Sequence, residues 1–175
     1  DSTAGLAEAK FAAQQIGIKL ISGIELSTTW QDKSLHIVGL NINPEHPLLL
    51  EATESLAQIR VQRAEKIAEK LEKSRIPGAL AWVNHKADDS MITRTHFADF
   101  LVTQFHVSTT QEAFDKYLAK GKPAYVSTQW LEMGRAIELI TQAGGIAVLA
   151  HPMRYKLTAS WMRRLLTAFT TVGGQ

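Results

Sequence analysis

Glu25, His36 and His151 carry side chains that bind metal ions, and each stands in or directly after a short apolar stretch. Glu25 lies between Ile24 and Leu26, where burial of a carboxylate is costly unless a partner or a metal ion compensates. One carboxylate oxygen and two imidazole nitrogens form a donor set that suits manganese, zinc or iron. The alternative interpretation makes each histidine a hydrogen-bonded core residue, and these residue types alone leave both interpretations open.

The apolar stretches around these residues predict strands, because they are too short and too interrupted for stable helices. We expect strands at 18–27, 35–42 and 146–151, preceded by a helix that Asp1, Ser2 or Thr3 caps. Helical patterns cover 129–143 and 158–170. His151 stands at the end of its predicted strand, and α/β enzymes place their chemistry at this end of barrel strands. The sequence therefore predicts an α/β fold with a site at the strand ends.

The middle of the chain has a different character, since its patterns are helical and no strand is predicted. Apolar residues recur at helical spacing over about 48–71, and shorter helical patterns follow at 80–86, 93–105 and 110–118. We interpret residues 44–127 as an inserted all-helical substrate-binding subdomain. Residues 1–43 and 128–175 then form the α/β body.

Composition narrows the class of protein. The chain has 175 residues and no cysteine, so a metal site must use nitrogen and oxygen ligands. No apolar run approaches the roughly 20 residues that span a bilayer, and no signal-peptide pattern is present, so we expect a cytoplasmic protein without a membrane partner. Basic residues crowd 60–75 and 116–122. They could attract a phosphate-rich substrate, although interleaved glutamates make a solvated helix face the alternative.

Several short motifs occur in the order found in one enzyme family. Segments 23–27, 35–40 and 148–152 resemble the metal-binding strands of the PHP (polymerase and histidinol phosphatase) family. Asp1–Leu6 resembles the end of that family's Asp-His-Asp-Thr motif. Segments 93–98 and 116–126 resemble the branch of bacterial nucleotide phosphoesterases that includes a 5′–3′ exoribonuclease.

This resemblance implies a distorted seven-stranded β/α barrel, of which the chain holds a part, with two or three divalent metal ions at the strand ends. Manganese is the expected metal, with zinc, iron and magnesium as alternatives. Glu25 would bridge two metals, while His36 and His151 would bind the metal nearest the phosphate. Asp1 would orient a ligand or contact solvent. No catalytic side chain is implied beyond the water that the metals activate.

The resemblance also implies substrate contacts. Arg94 and Arg154 would bind phosphate, and His96 and Lys120 are further candidates. The alternative for Arg94 is an ordinary position at the start of a surface helix. The implied reaction is hydrolysis of nucleoside 3′,5′-bisphosphates, nucleoside 5′-monophosphates or short 5′-phosphorylated RNA.

Two other functions are compatible with the sequence. One is related chemistry, as in a histidinol phosphatase or a polymerase-linked exonuclease of the same family. The other is a non-catalytic module that binds RNA or a protein partner. The family's opening His-x-His pair and its late Asp-x-His strand are absent. We therefore expect residues 1–175 alone to bind metal poorly and to be inactive.

Overall fold

The fold is described from a computed structural model that covers residues 1–88 and 90–175. Within these residues the chain forms a mixed α/β fold with seven α-helices and one four-stranded sheet. The helices are α1 (Leu6–Ile16), α2 (Pro47–Lys73), α3 (Ala79–Ala87), α4 (Arg94–Thr103), α5 (Thr110–Ala113), α6 (Met133–Gln142) and α7 (Ala159–Thr171). The strands are β1 (Gly23–Trp30), β2 (Lys33–Leu40), β3 (Leu131–Glu132) and β4 (Ile146–Leu149).

The structure divides into two compact units, residues 1–56 with 129–175 and residues 57–128. The sheet belongs to the first unit and has the strand order β3-β1-β2-β4. β1 and β2 form an antiparallel hairpin whose two turn residues, Gln31 and Asp32, both have positive φ angles. Such turns match the right-handed twist of the flanking strands. β4 pairs antiparallel with β2, and the short β3 pairs parallel with β1.

One face of this sheet carries the core of the first unit. Leu26, Leu35 and Ile37 are fully buried there, together with Ile137 and Ile140 of α6. Helix α6 packs closely on β2. A Cβ atom added at Gly39 would lie only 2.9 Å from the Ile140 side chain, which shows how near the two elements are. The opposite face of β1 and β2 is therefore the one that can present polar side chains.

The second unit is helical and has its own core. That core is built on α2, α3, α4 and the segment that follows α5, and its largest fully buried side chains are Ile67, Leu71, Phe97, Leu101 and Leu118. Residues Phe114–Leu118 continue α5 as a π-helical turn. No helix in the described part of the chain has the length and apolarity that crossing a membrane requires.

Several local predictions need correction. Residues 18–22 are not in a strand, since β1 begins at Gly23. The predicted helix at 129–143 begins at Met133, after the two-residue strand β3. The N-cap of α1 is Gly5, without a side-chain cap, so the cap expected from Asp1, Ser2 or Thr3 is wrong. The Asp1 carboxylate instead accepts hydrogen bonds from Ser27.

Candidate metal centre

Strand β1 presents Glu25 on the face opposite the core. Ile24 and Leu26 are buried, whereas the Glu25 side chain keeps 48% of its surface exposed, because successive side chains of a strand point to opposite faces. The expectation that Glu25 is buried with its neighbours is therefore wrong. Glu25 is an accessible carboxylate on a well-packed strand, which suits a ligand-binding residue.

The two histidines reach Glu25 from neighbouring strands. His36 lies on β2, and His151 follows the end of β4, which pairs with β2. His36 Nδ1 lies 2.6 Å from Glu25 Oε1, and His151 Nε2 lies 3.2 Å from the same oxygen. The two ring nitrogens are 3.2 Å apart. The structure thus brings together all three residues that the sequence analysis singled out as metal ligands.

The electrostatics of this cluster favour an ionised carboxylate. Burial raises the pKa of Glu25, but the positive charge and hydrogen bond of His36, with the hydrogen bond and charge of His151, outweigh it. The net effect holds the pKa of Glu25 below its ordinary value. Glu25 is therefore negatively charged near neutral pH, as a metal ligand must be.

The donor atoms have a spacing that a divalent metal ion can use. Glu25, His36 and His151 each offer one ligand atom, and these atoms lie within 4.8 Å of one another. Around a tetrahedral ion with bonds of about 2.1 Å, the donor atoms lie about 3.4 Å apart. The two 3.2 Å separations fit this spacing, and the 2.6 Å contact between His36 and Glu25 must widen. Oxygen and nitrogen donors of this kind suit manganese, zinc and iron.

Two further side chains brace the strands behind the cluster. Asp1 accepts hydrogen bonds from the amide and hydroxyl groups of Ser27, two residues beyond Glu25 on β1. The Tyr155 hydroxyl accepts a hydrogen bond from the His36 amide and donates one to the Ala150 carbonyl, each 2.9 Å long. Sequence patterns gave no signal for Tyr155, because its contacts depend on how the turn after His151 folds.

The helical unit contains a separate group of arginines. Burial, followed by the positive charges of Arg94 and Arg60, lowers the pKa of Arg63 to about 10. Arg63 therefore remains charged at neutral pH beside two other guanidinium groups. The Arg94 guanidinium also lies 5.9 Å from the centre of the Phe114 ring.

The remaining predicted substrate residues have different surroundings. Arg154 is exposed in the 3₁₀ turn Pro152–Tyr155, three residues after His151 in the first unit. His96 accepts a 3.2 Å hydrogen bond from the Thr93 amide at the start of α4, which gives it a structural role. Lys120 is exposed in the helical unit.

In the sequence, Arg60 and Arg63 stand out only as members of the basic stretch at 60–75. Their three-residue spacing places them on one side of α2, but the sequence gives no sign that α4 brings Arg94 beside them. That contact comes from the packing of the helical core, so it could be found only in the folded chain.

The sheet presents a carboxylate and two imidazoles beside accessible strand ends. Metal-dependent phosphoesterases use sites of this kind. Comparisons with proteins of known sequence agree with this class. No protein-family model matches the chain. It is 44% identical over 174 residues to a 5′–3′ exoribonuclease from Haemophilus influenzae, which covers 99% of this chain and 63% of that protein. It is also 41% identical, over an alignment of 179 positions, to a 3′,5′-nucleoside bisphosphate phosphatase from Chromobacterium violaceum. This alignment covers 100% of this chain and 62% of that protein.

Solved structures show the same likeness. A Chromobacterium violaceum amidohydrolase with bound sulfate and no metal superposes with a TM-score of 0.94 at 41% identity, over 99% of this chain and 62% of that one. A structure from Bifidobacterium adolescentis, described as a metal-dependent phosphoesterase, gives a TM-score of 0.87 at 25% identity, again over 99% and 62%. The chain therefore resembles PHP-family phosphoesterases in sequence and fold, as its motifs indicated, and it spans somewhat less than two thirds of the length of these relatives.

Proposed function

We propose that the protein of which this chain is part is a metal-dependent phosphoesterase that acts on nucleotides. Its substrates would be nucleoside 3′,5′-bisphosphates, nucleoside 5′-monophosphates or short 5′-phosphorylated RNA. The convergence of Glu25, His36 and His151 carries this proposal, because their three ligand atoms lie within 4.8 Å of one another and could hold a divalent ion. The names of the Haemophilus and Chromobacterium relatives support the nucleotide substrate.

In this proposal Glu25, His36 and His151 would hold divalent ions, of which the full-length protein would bind two or three. Manganese is the expected metal, and zinc, iron and magnesium are alternatives. Bound metal would supply a water of lowered pKa and would neutralise charge on the phosphoryl oxygens. The Glu25 carboxylate, ionised at neutral pH, would keep the two imidazoles oriented toward the same point.

The arginines would hold the substrate. Arg154 lies three residues beyond His151, and we propose that it contacts the phosphate that reacts. Arg94, with Arg63 and Arg60 beside it, would bind a phosphate of the nucleotide from the helical unit. Guanidinium groups bind phosphate oxygens in pairs, which fixes orientation as well as position. We give His96 and Lys120 only minor roles in substrate binding.

We further propose that the four-stranded sheet is part of a seven-stranded barrel in the full-length protein, with the helical subdomain inserted at 44–127. The length of the relatives supports this arrangement, since the chain covers 62% to 63% of them. Asp1 would then serve as a residue behind the metal ligands, through Ser27. Residues 1–175 alone would bind metal weakly and release no phosphate.

The test is manganese-dependent phosphate release by the full-length protein from nucleoside 3′,5′-bisphosphates, nucleoside 5′-monophosphates and short RNA. His36→Ala should lower kcat by at least about a thousandfold if the metal supplies the nucleophile. His85→Ala, an exposed histidine of α3, is the matched control and should keep full activity. The proposal fails if the unaltered protein hydrolyses none of these substrates, and RNA affinity that survives metal removal would then favour a binding module.

A further inference from the structure

The pairing of β2 with β4 changes at the point where the candidate metal ligands begin. Ile37 pairs with Leu149, so the register places His36 opposite Ala150. The Ala150 amide donates a 3.0 Å hydrogen bond to the His36 carbonyl. In an antiparallel pair of this type, the His36 amide would donate back to the Ala150 carbonyl. The structure has another arrangement there.

The hydroxyl group of Tyr155 takes the place of that second hydrogen bond. The His36 amide donates to Tyr155 Oη over 2.9 Å, and Tyr155 Oη donates to the Ala150 carbonyl over 2.9 Å. The Tyr155 hydroxyl oxygen is therefore inserted into the ladder between His36 and Ala150, the residue that precedes His151. The strands stay hydrogen-bonded, but they are held further apart than a direct bond would hold them.

The turn after β4 brings Tyr155 to this position. His151 adopts a left-handed backbone conformation with φ of 31°, and the Arg154 amide donates a 2.9 Å hydrogen bond to the His151 carbonyl. Pro152–Tyr155 then form a 3₁₀ turn that folds back on the strand. The Tyr155 ring packs against the core of the first unit, and its centre lies 5.4 Å from that of the His151 ring. Tyr155 thus contacts both histidines: its hydroxyl accepts the hydrogen bond from the His36 amide, and its ring lies against the His151 ring.

We propose that Tyr155 is a positioning residue whose hydroxyl sets the separation of His36 and His151, and hence the metal affinity of the site. This inference rests on the proposed metal centre. A metal ion binds tightly only when its donor atoms are held at the required spacing, and loss of an outer hydrogen-bond partner commonly costs 10- to 100-fold in metal affinity. The Tyr155 hydroxyl acts on two backbone segments at once, so its effect extends to both imidazoles.

Tyr155→Phe separates the hydroxyl from the ring. The variant keeps the packing against the core and the ring contact with His151, but it removes both hydrogen bonds. Tyr117→Phe is the matched control, because Tyr117 is a partly buried tyrosine of the helical core. We expect the dissociation constant of the full-length protein for Mn²⁺ to rise about 10- to 100-fold in Tyr155→Phe and to stay unchanged in Tyr117→Phe.

The measurement is titration calorimetry with Mn²⁺ on the unaltered protein and both variants, with thermal unfolding of the metal-free proteins beside it. A folded Tyr155→Phe variant with unchanged Mn²⁺ affinity overturns the role of Tyr155 while leaving the metal centre in place. If the unaltered protein binds none of Mn²⁺, Zn²⁺, Fe²⁺ and Mg²⁺, the proposed function fails instead.

Hydrogen exchange of the His36 amide in the unaltered protein gives a second test, which does not depend on the folding of a variant. We expect this amide to be protected from exchange with solvent, because it donates a hydrogen bond to the Tyr155 hydroxyl. An amide that exchanges at the rate of an open loop overturns the inference. In a folded Tyr155→Phe variant, the same amide should exchange faster than in Tyr117→Phe.

Discussion

His36 Nδ1 lies 3.2 Å from His151 Nε2, although 115 positions separate the two residues in the chain. Strand pairing explains this closeness, because β2 and β4 are neighbours in the sheet and the ladder ends where the imidazoles begin. β1 pairs with the other edge of β2 and brings Glu25 to the same point. The site is therefore a product of three adjacent strands, each held by a packed core on the other face.

Glu25→Gln tests the charge of the site. The variant keeps the shape of the side chain and removes the negative charge that a divalent ion requires, so Mn²⁺ affinity should fall at least about tenfold. Glu54→Gln, at an exposed position of α2, is the control. Calorimetry on the full-length protein measures both, and equal affinities in the two variants would remove Glu25 from the ligand set.

Arg94→Lys tests whether the arginine group binds substrate. Lysine keeps the positive charge but cannot bind two phosphate oxygens in a plane, so KM for a nucleoside bisphosphate should rise about tenfold. Arg75→Lys, at an exposed position in the turn after α2, should leave KM unchanged. Because Arg94 is proposed to bind and not to react, a variant that lost kcat with unchanged KM would contradict its role.

Gly39→Ala tests the packing that supports the site. An added Cβ atom would lie 2.9 Å and 3.2 Å from two carbon atoms of Ile140, so α6 must move away from β2. Overpacking of this kind costs about 1 to 3 kcal/mol of unfolding free energy. Gly5→Ala is the control, since nothing lies within 4 Å of its Cβ position. Thermal or denaturant unfolding compares the two, and equal stabilities would show that the interface yields without cost.

The sequence could single out the three candidate ligands, which the structure brings together, because each stands in or shortly after a strand whose apolar neighbours form a clear pattern. His36 alternates with the buried Leu35 and Ile37, so its side chain had to face away from the core. The same alternation applies to Glu25, and the expectation of a buried carboxylate failed because it considered chain neighbours and not strand faces. The two-residue strand β3 was missed, since so short a pairing leaves no periodic signal.

Contacts made by tertiary packing could not be predicted. The position of Tyr155 in the β2–β4 ladder depends on the left-handed backbone conformation of His151. The residues around His151 in the sequence do not predict that conformation. The approach of Arg94 to Arg63 likewise depends on how α4 packs on α2. In both cases the residue types are ordinary, and only the folded chain brings them together.

Manganese anomalous scattering from crystals of the full-length protein would locate the metal ion itself. We predict an anomalous peak about 2.2 Å from Glu25 Oε1, His36 Nδ1 and His151 Nε2, with the His36–Glu25 contact widened from 2.6 Å to more than about 3 Å. Crystals with manganese bound elsewhere, or with the three side chains still hydrogen-bonded to one another at saturating manganese, would contradict it.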